Sequence, residues 1–417
     1  MNNQIELLPE NEFQQIYNEL IQRAIFILSS MDPSHSSIYS SFPTELHQLL
    51  YQNESFQLTR KYFAGYSTFS PERKELYLQA TSVEMATRMR IWMESKLYQS
   101  EIESISLQNP FFIVSLPRSA STFLYQLLLQ DPSAKGMKFY QLLAPGGKTT
   151  TLDARKQYVA STIFRMNEIN EEFQSMHSMM VSKPEEETFF LDGLGLSFIR
   201  ICSMPQLEDI RNEFESINWN YGYEYLKTMM KATLIEDPFD DKQNHFCMKS
   251  IQHFAFIKYL LKNFPEGKFI WIHRDPIESL SSTLPLFNQV RMTFGECNTE
   301  ESLLWFNKSV LNCFTKYLKI ALEERELFEK NNPKSFIDIS FKQFVKDPLS
   351  TIEMIYKHFN IQMSEEMKEN IENELKIEES PSKKHGSSKE MKDLLVLSND
   401  EIKNAFKFYY DKFNDYL

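Results

Sequence analysis

From Phe111 the chain runs through four apolar residues, Phe111-Phe112-Ile113-Val114, the length and density of a strand buried on both faces. The run stops at Leu116-Pro117-Arg118-Ser119-Ala120-Ser121-Thr122, and apolar positions resume at helical spacing with Phe123, Leu124, Leu127 and Leu128. The alternation returns further on, where His245 to Met248, Lys268 to His273 and Ser335 to Ile339 read as strands separated by helical stretches. Apolar strands spaced by helices predict an α/β fold, a parallel β-sheet flanked by helices. Residues 1 to about 105 read as helices only: one near Glu12 to Ser29, another from about Thr44 to Phe63, and a third that Ser70 caps, with Pro71 at its first position. The pattern therefore predicts an N-terminal helical region (1–105) and an α/β domain (106–417) that carries a helical insertion at 136–244. The polar, lysine-rich stretch Glu378 to Asp393 reads as a mobile loop ahead of an amphipathic helix from about Asp400 to Phe413.

A strand that turns through small hydroxyl residues into a helix aims backbone N–H groups and the positive end of the helix dipole at one point. Such a point suits phosphate or sulfate. Arg118 adds a planar fork of donors for the same anion. An ordinary strand–turn–helix with a surface arginine would give the same loop, and Gly-x-x-x-x-Gly-Lys-Ser/Thr is absent. A second segment, KFIWIHRDPIESLSST from Lys268 to Thr283, sharpens the reading. Its strand ends in His273-Arg274-Asp275-Pro276, Pro276 suits the first turn of a helix, and Ser282 lies about two helical turns beyond Arg274.

With both segments in view the chain resembles the sulfotransferases that use 3′-phosphoadenosine 5′-phosphosulfate (PAPS), in the branch with LPR loops and HRDP turns. The resemblance implies a P-loop-like sulfotransferase fold. It also implies that Arg118, Ser119, Ala120, Ser121 and Thr122 hold the 5′-phosphosulfate and that Arg274 and Ser282 hold the 3′-phosphate. Other segments fall in the family's order: His177 to Glu187, Met248-Lys249-Ser250-Ile251-Gln252-His253-Phe254, Asn263 to Lys268, and Phe336 to Pro348. Lys383-Lys384-His385-Gly386 resembles the basic loop that closes over the nucleotide. The resemblance spans roughly residues 108–415. Three positions depart from it: Ala120 for the usual glycine, Ile251 for a proline, and Ser388 or Lys389 where a tyrosine often falls.

Sulfuryl transfer to an alcohol needs a base for the acceptor proton and positive charge over the sulfonyl oxygens. The resemblance implies chemistry without a metal, with Lys249 and Arg118 taking that charge. Two histidines are candidates for the base, because an ordinary imidazole titrates near neutrality. His253, four residues after Lys249, is the first choice. His177 on the insertion is the second, with His177 and Glu186 otherwise expected to bind the acceptor. A nucleotide-dependent kinase, or a non-catalytic nucleotide-binding scaffold with a decayed sulfotransferase core, are the alternatives.

Composition narrows the partners. The net charge of −12 argues against general nucleic-acid or anionic-membrane binding, so a polyanionic donor needs a local basic pocket. The four cysteines show no metal-ligand or disulfide spacing. The start, MNNQIELLPENEF, lacks a signal-peptide pattern, and no run is long enough to span a bilayer. The expectation is a cytoplasmic enzyme acting on a small-molecule hydroxyl acceptor, with a homodimer left open. The 34 Phe and 19 Tyr are mostly core, although an excess also suits an apolar acceptor pocket.

Overall fold

The computed structural model describes residues 7–33, 37, 39, 54–146, 151–169, 179–240, 244–296, 298–378 and 394–417. Five strands form its sheet: β1 (Phe111–Ser115), β2 (Ala134–Lys135), β3 (His245–Lys249), β4 (Lys268–His273) and β5 (Phe336–Ser340). They lie in the order β2-β3-β1-β4-β5, and every neighbouring pair is parallel. Ile113 of β1 stands opposite Lys249 on one side and Ile270 on the other. From β1 the chain goes out to β2 at the sheet edge, returns through β3 between the two, and then crosses to the other side of β1 with β4. The carboxyl ends of β1, β3 and β4 therefore open on a crevice at a topological switch point, the usual ligand position in such sheets.

The helices that matter here are α1 (Glu10–Met31), α2 (Pro71–Leu97), α3 (Ser121–Leu128), α4 (Thr188–Gly193), α5 (Asn220–Glu236), α6 (Pro276–Thr293), α7 (Glu300–Glu329), α8 (Pro348–His358), α9 (Asn399–Ala405) and α10 (Lys407–Phe413). α1 buries Phe13, Tyr17, Leu20, Ala24 and Leu28 along one stripe and packs on α2. α2 packs in turn on α4 and α5 of the insertion. Its start follows the sequence: Ser70 Oγ accepts from the Arg73 N–H at 3.2 Å, with Pro71 first in the helix.

Alternation along each strand divides the core. Phe111, Ile113, Cys247, Ile270 and Ile272 pack with Leu124, Leu127 and Leu128 of α3 and Ile352 and Ile355 of α8. Phe112, Val114, Met248, Phe269 and Trp271 face the larger cluster that holds the insertion and the N-terminal helices. Covered on both faces, all five residues of β1 are buried.

Some elements differ from expectation. β2 is two residues long and has no run to betray it. Of the helix expected over Thr44 to Phe63, Glu54–Tyr62 is helical and the earlier part lies outside the described residues. The final helix breaks at Phe406 into α9 and α10, which turns Tyr409 and Phe413 onto the end of β4. The loop expected at Glu378 to Asp393 lies outside the described residues beyond the helix ending at Glu378.

Candidate active site

Between β1 and α3 the backbone turns left-handed twice, at Arg118 (φ +62°) and Ala120 (φ +59°). Left-handed residues in a turn are the means by which successive N–H groups converge on an anion. For a residue with a Cβ this costs roughly 1–2 kcal/mol, which is why glycine is usual at the Ala120 position. Ser119 is fully buried, and its hydroxyl has no hydrogen-bond partner among the described residues. An orphaned donor inside an anion-shaped loop is what a bound phosphate or sulfate would satisfy.

The two basic motifs are knitted together. The Arg274 guanidinium donates to the Arg118 carbonyl, and Arg118 Nε donates to Ser282 Oγ at 3.1 Å. Ser279 Oγ donates to the Pro117 carbonyl at 2.8 Å. Phe341 lies under Arg274, 4.3 Å from ring centroid to guanidinium carbon. Asp275 fixes this turn by capping α6, accepting from the N–H groups of Ile277 and Glu278. Arg118 reaches solvent at its tip and forms no ion pair among the described residues. Desolvation by the surrounding protein, then the like charge of Arg274, lowers its pKa from the usual value; Glu186 acts in the opposite direction. Two arginines held side by side call for an anion between or beside them.

Lys249 closes the site from β3. Its ammonium donates to Thr122 Oγ1 at 3.1 Å and pairs with Glu186 Oε2 at 2.5 Å. Its backbone N–H donates to Glu187 Oε2 at 2.9 Å. Lys249, Glu186 and Glu187 are all buried. The turn after β3 is laced to the insertion by further bonds, Thr188 Oγ1 of α4 to Ser250 Oγ at 2.7 Å and the Phe198 N–H, beyond α4, to Gln252 Oε1 at 2.8 Å.

Arg118, Ser119, Ala120, Ser121, Thr122, Lys249, Arg274, Ser282 and Glu186 thus gather at the carboxyl end of the central strands. His253 does not face them. It is fully buried, with Nε2 2.6 Å from Glu187 Oε1 and Nδ1 3.1 Å from the Tyr223 hydroxyl, so neither nitrogen is open to an acceptor. The expectation that His253 is the base meets a ring whose two nitrogens already have partners inside the core. His177 and the Lys383–Gly386 segment lie outside the described residues. The sequence gives little warning of Glu187 and Tyr223. The available signal is an acidic triplet abutting the apolar run Phe189-Phe190-Leu191: carboxylates drawn into a core need cationic or N–H partners.

The family model described as "Sulfotransferase family" matches residues 110–365, more than half of the chain. The chain belongs to the sulfotransferase family. Among curated proteins it is 24% identical to omega-hydroxy-beta-dihydromenaquinone-9 sulfotransferase Stf3 of Mycobacterium bovis over 277 residues, covering 65% of this chain and 68% of that protein. The Mycobacterium tuberculosis protein of the same name matches equally. Among solved structures, sulfotransferase STF9 from Mycobacterium avium superposes with a TM-score of 0.67 at 18% identity, over 83% of this chain and 87% of that one. Sulfotransferase STF1 from M. tuberculosis gives 0.67 at 16% identity, over 84% and 90%. These structures share the fold of this sulfotransferase. Among the described residues no helix is long and apolar enough to cross a membrane.

Proposed function

We propose that this sulfotransferase takes PAPS as donor and passes its sulfuryl group to a hydroxyl of a small-molecule acceptor, with Glu186 as the base. The observation that carries the reading is the Lys249 ammonium, which touches the loop at Thr122 and the Glu186 carboxylate at once. PAPS supplies an activated sulfuryl group on a phosphate leaving group. The residues present suit it: the partnerless Ser119 hydroxyl, the left-handed turn and Arg118 for the 5′-phosphosulfate, Arg274 and Ser282 for the 3′-phosphate. In the transfer a bond forms between acceptor oxygen and sulfur while the bond from sulfur to phosphate oxygen breaks, and the acceptor proton passes to Glu186. Lys249 and Arg118 hold the charge on the sulfonyl oxygens and the departing phosphate, the part that positioning and electrostatics play in phosphoryl transfer. No metal is required by this set of charges, so activity is expected to persist in excess EDTA; complete loss restored by magnesium or zinc would refute that part.

The acceptor class follows the mycobacterial relatives, which are named for an omega-hydroxy substrate. The test is radiolabelled PAPS with a panel of phenols, sterols, long-chain alcohols and polyprenyl alcohols. Transfer to one of these is expected, and Glu186→Gln should lower kcat about 10²- to 10⁴-fold while 3′-phosphoadenosine 5′-phosphate still binds. Full activity in Glu186→Gln would remove the base assignment. Failure of the protein to bind that nucleotide would remove the donor.

A further inference from the structure

A line of hydrogen bonds begins at the Lys249 backbone and ends in the insertion. The Lys249 N–H donates to Glu187 Oε2, Glu187 Oε1 faces His253 Nε2, and His253 Nδ1 faces the Tyr223 hydroxyl on α5. Glu187, His253 and Tyr223 are each 0% exposed. A carboxylate only accepts, so the Glu187–His253 bond is made with the hydrogen on His253 Nε2. Nδ1 then offers a lone pair, and the Tyr223 hydroxyl donates to it. The imidazole has no group left over. Its ring stands edge-on to Phe112 of β1 at 5.5 Å, which fixes its plane as well.

The arrangement treats Lys249 twice. Glu186 holds its ammonium and Glu187, the next residue, holds its backbone N–H. Consecutive residues thus fix both ends of one lysine, and a turn of either carboxylate would displace the other. What keeps Glu187 from turning is His253, and what keeps His253 from turning is Tyr223.

We propose that Glu187, His253 and Tyr223 are positioning residues for sulfuryl transfer, a buried relay that holds Lys249 and Glu186 face to face at the loop. The inference rests on the reading that puts Lys249 and Glu186 at the reacting atoms. It gives His253 a role in turnover without contact with the acceptor. A displacement of about 1 Å at reacting groups is enough to cost on the order of 10²-fold in rate.

The test compares His253→Ala, His253→Gln and Tyr223→Phe, with the best acceptor of the panel and saturating PAPS. Affinity for 3′-phosphoadenosine 5′-phosphate is measured by calorimetry, which needs no acceptor. His253→Ala is expected to lower kcat roughly 10- to 100-fold, with nucleotide affinity unchanged and the acidic limb of the pH–rate profile still present. His253→Gln is expected to recover most of the rate, because a glutamine amide donates to Glu187 and accepts from Tyr223. Tyr223→Phe should fall between them. Loss of the acidic limb in both His253 variants, with Gln no better than Ala, would make His253 the base and overturn the proposal. Wild-type kcat in all three would overturn it as well. Should His253→Ala not fold, Tyr223→Phe decides, since it keeps the core volume: an unchanged kcat there refutes the relay. Glu186→Gln and Lys249→Ala separate this from the parent reading. If those two are inactive and the relay variants are not, the relay alone fails; if those two are fully active, the catalytic reading fails first.

Discussion

Lys249 and Arg274 carry the same charge but stand in different surroundings, and their variants should behave differently. Arg274 touches the loop carbonyl and rests on Phe341, away from the Glu186 carboxylate. Arg274→Ala should weaken 3′-phosphoadenosine 5′-phosphate binding roughly ten- to a hundredfold, the scale of one charge-assisted hydrogen bond at about 1.5–3 kcal/mol, with a smaller effect on kcat at saturating PAPS. Lys249→Ala should do the reverse, because a contact that strengthens in the transition state appears in kcat. Binding titrations and initial rates on the two variants check this, and equal losses in both would show Lys249 misassigned. Asp192, at the end of α4, offers a pH test. Burial pushes its carboxyl up to about 7, against the charge of Arg200 and the hydrogen bond from Gln252. Between its ordinary value near 4 and that raised value, the folded chain keeps a proton that the unfolded chain has lost. Stability from this group therefore falls as pH rises across that window. Asp192→Asn should raise the melting temperature by roughly 2–4 °C at pH 8 and leave it nearly unchanged at pH 4. At this scale the gathering of Arg118, Lys249, Arg274 and Ser282 at one crevice was legible, since the first three sit at or just past a strand end and Ser282 lies about two helical turns beyond Arg274 on α6. The spacing of His253 from Lys249 says nothing about the direction in which the ring points. The residues between turn it inward, where Glu187 and Tyr223 take both nitrogens.

The elements show how the turn bearing Arg274 is held from behind. His273, the last residue of β4, lies 2.7 Å from the Tyr409 hydroxyl of α10 through Nδ1 and 2.7 Å from Asp338 of β5 through Nε2. Arg325 of α7 donates to both oxygens of Asp338 at 2.6 and 2.8 Å, and Phe413 stacks on the imidazole with ring centroids 4.1 Å apart. Tyr410 donates to Asp275, the cap of α6. The C-terminal helices thus clamp the strand end next to the proposed 3′-phosphate position. Burial opposes the charge on Asp338, but the hydrogen bonds from Arg325 and then His273 outweigh it and hold its carboxyl well below the usual range. Burial lowers the His273 pKa, with Asp338 pulling the other way. Both groups are depressed, so both contribute stability that is present above their unfolded values and lost as pH falls: through about 6.5 for His273 and below about 4 for Asp338. Asp338→Asn takes away one of the two carboxylates of the mostly buried Arg325, with Glu329 still paired to its Nε at 2.9 Å. The cost should therefore fall below that of leaving a buried charge unpaired, about 3–5 kcal/mol. A lower melting temperature with weaker nucleotide binding is the expected result, measured by calorimetry at pH 7.5. Loss of stability with unchanged nucleotide affinity would detach the clamp from the site. The sequence showed the long strands and the capped helices, whose signals are local. It concealed β2 and the break at Phe406, which depend on what packs against them.

For the whole molecule the question is how an acidic chain holds a polyanion. The net charge of −12 disfavours any phosphate at long range, so affinity must come from local geometry. The sheet order supplies it: β1, β3 and β4 are neighbours, and their carboxyl ends bring Arg118, Lys249 and Arg274 together from distant parts of the sequence. On the proposed reading a nucleotide with phosphate at both the 5′ and 3′ positions would meet both arginine motifs, whereas ATP, with all its phosphates at one end, would meet the loop and leave Arg274 and Ser282 unmatched. A ligand that binds only the folded state stabilises by mass action, by about 2.7 kcal/mol at a hundredfold excess over its dissociation constant. 3′-Phosphoadenosine 5′-phosphate should therefore raise the melting temperature well above the shift that equal ATP or AMP produces, and without added metal. The contrast should shrink in Arg274→Ala, which removes the proposed second anion site, and persist in Glu186→Gln, which removes the proposed base and leaves both sites. A scan of the three proteins against the three nucleotides reads all of this at once. Equal shifts from ATP and the 3′,5′-bisphosphate in the unaltered chain would mean that Arg274 and Ser282 hold no phosphate and would overturn the assignment of a 3′-phosphorylated donor.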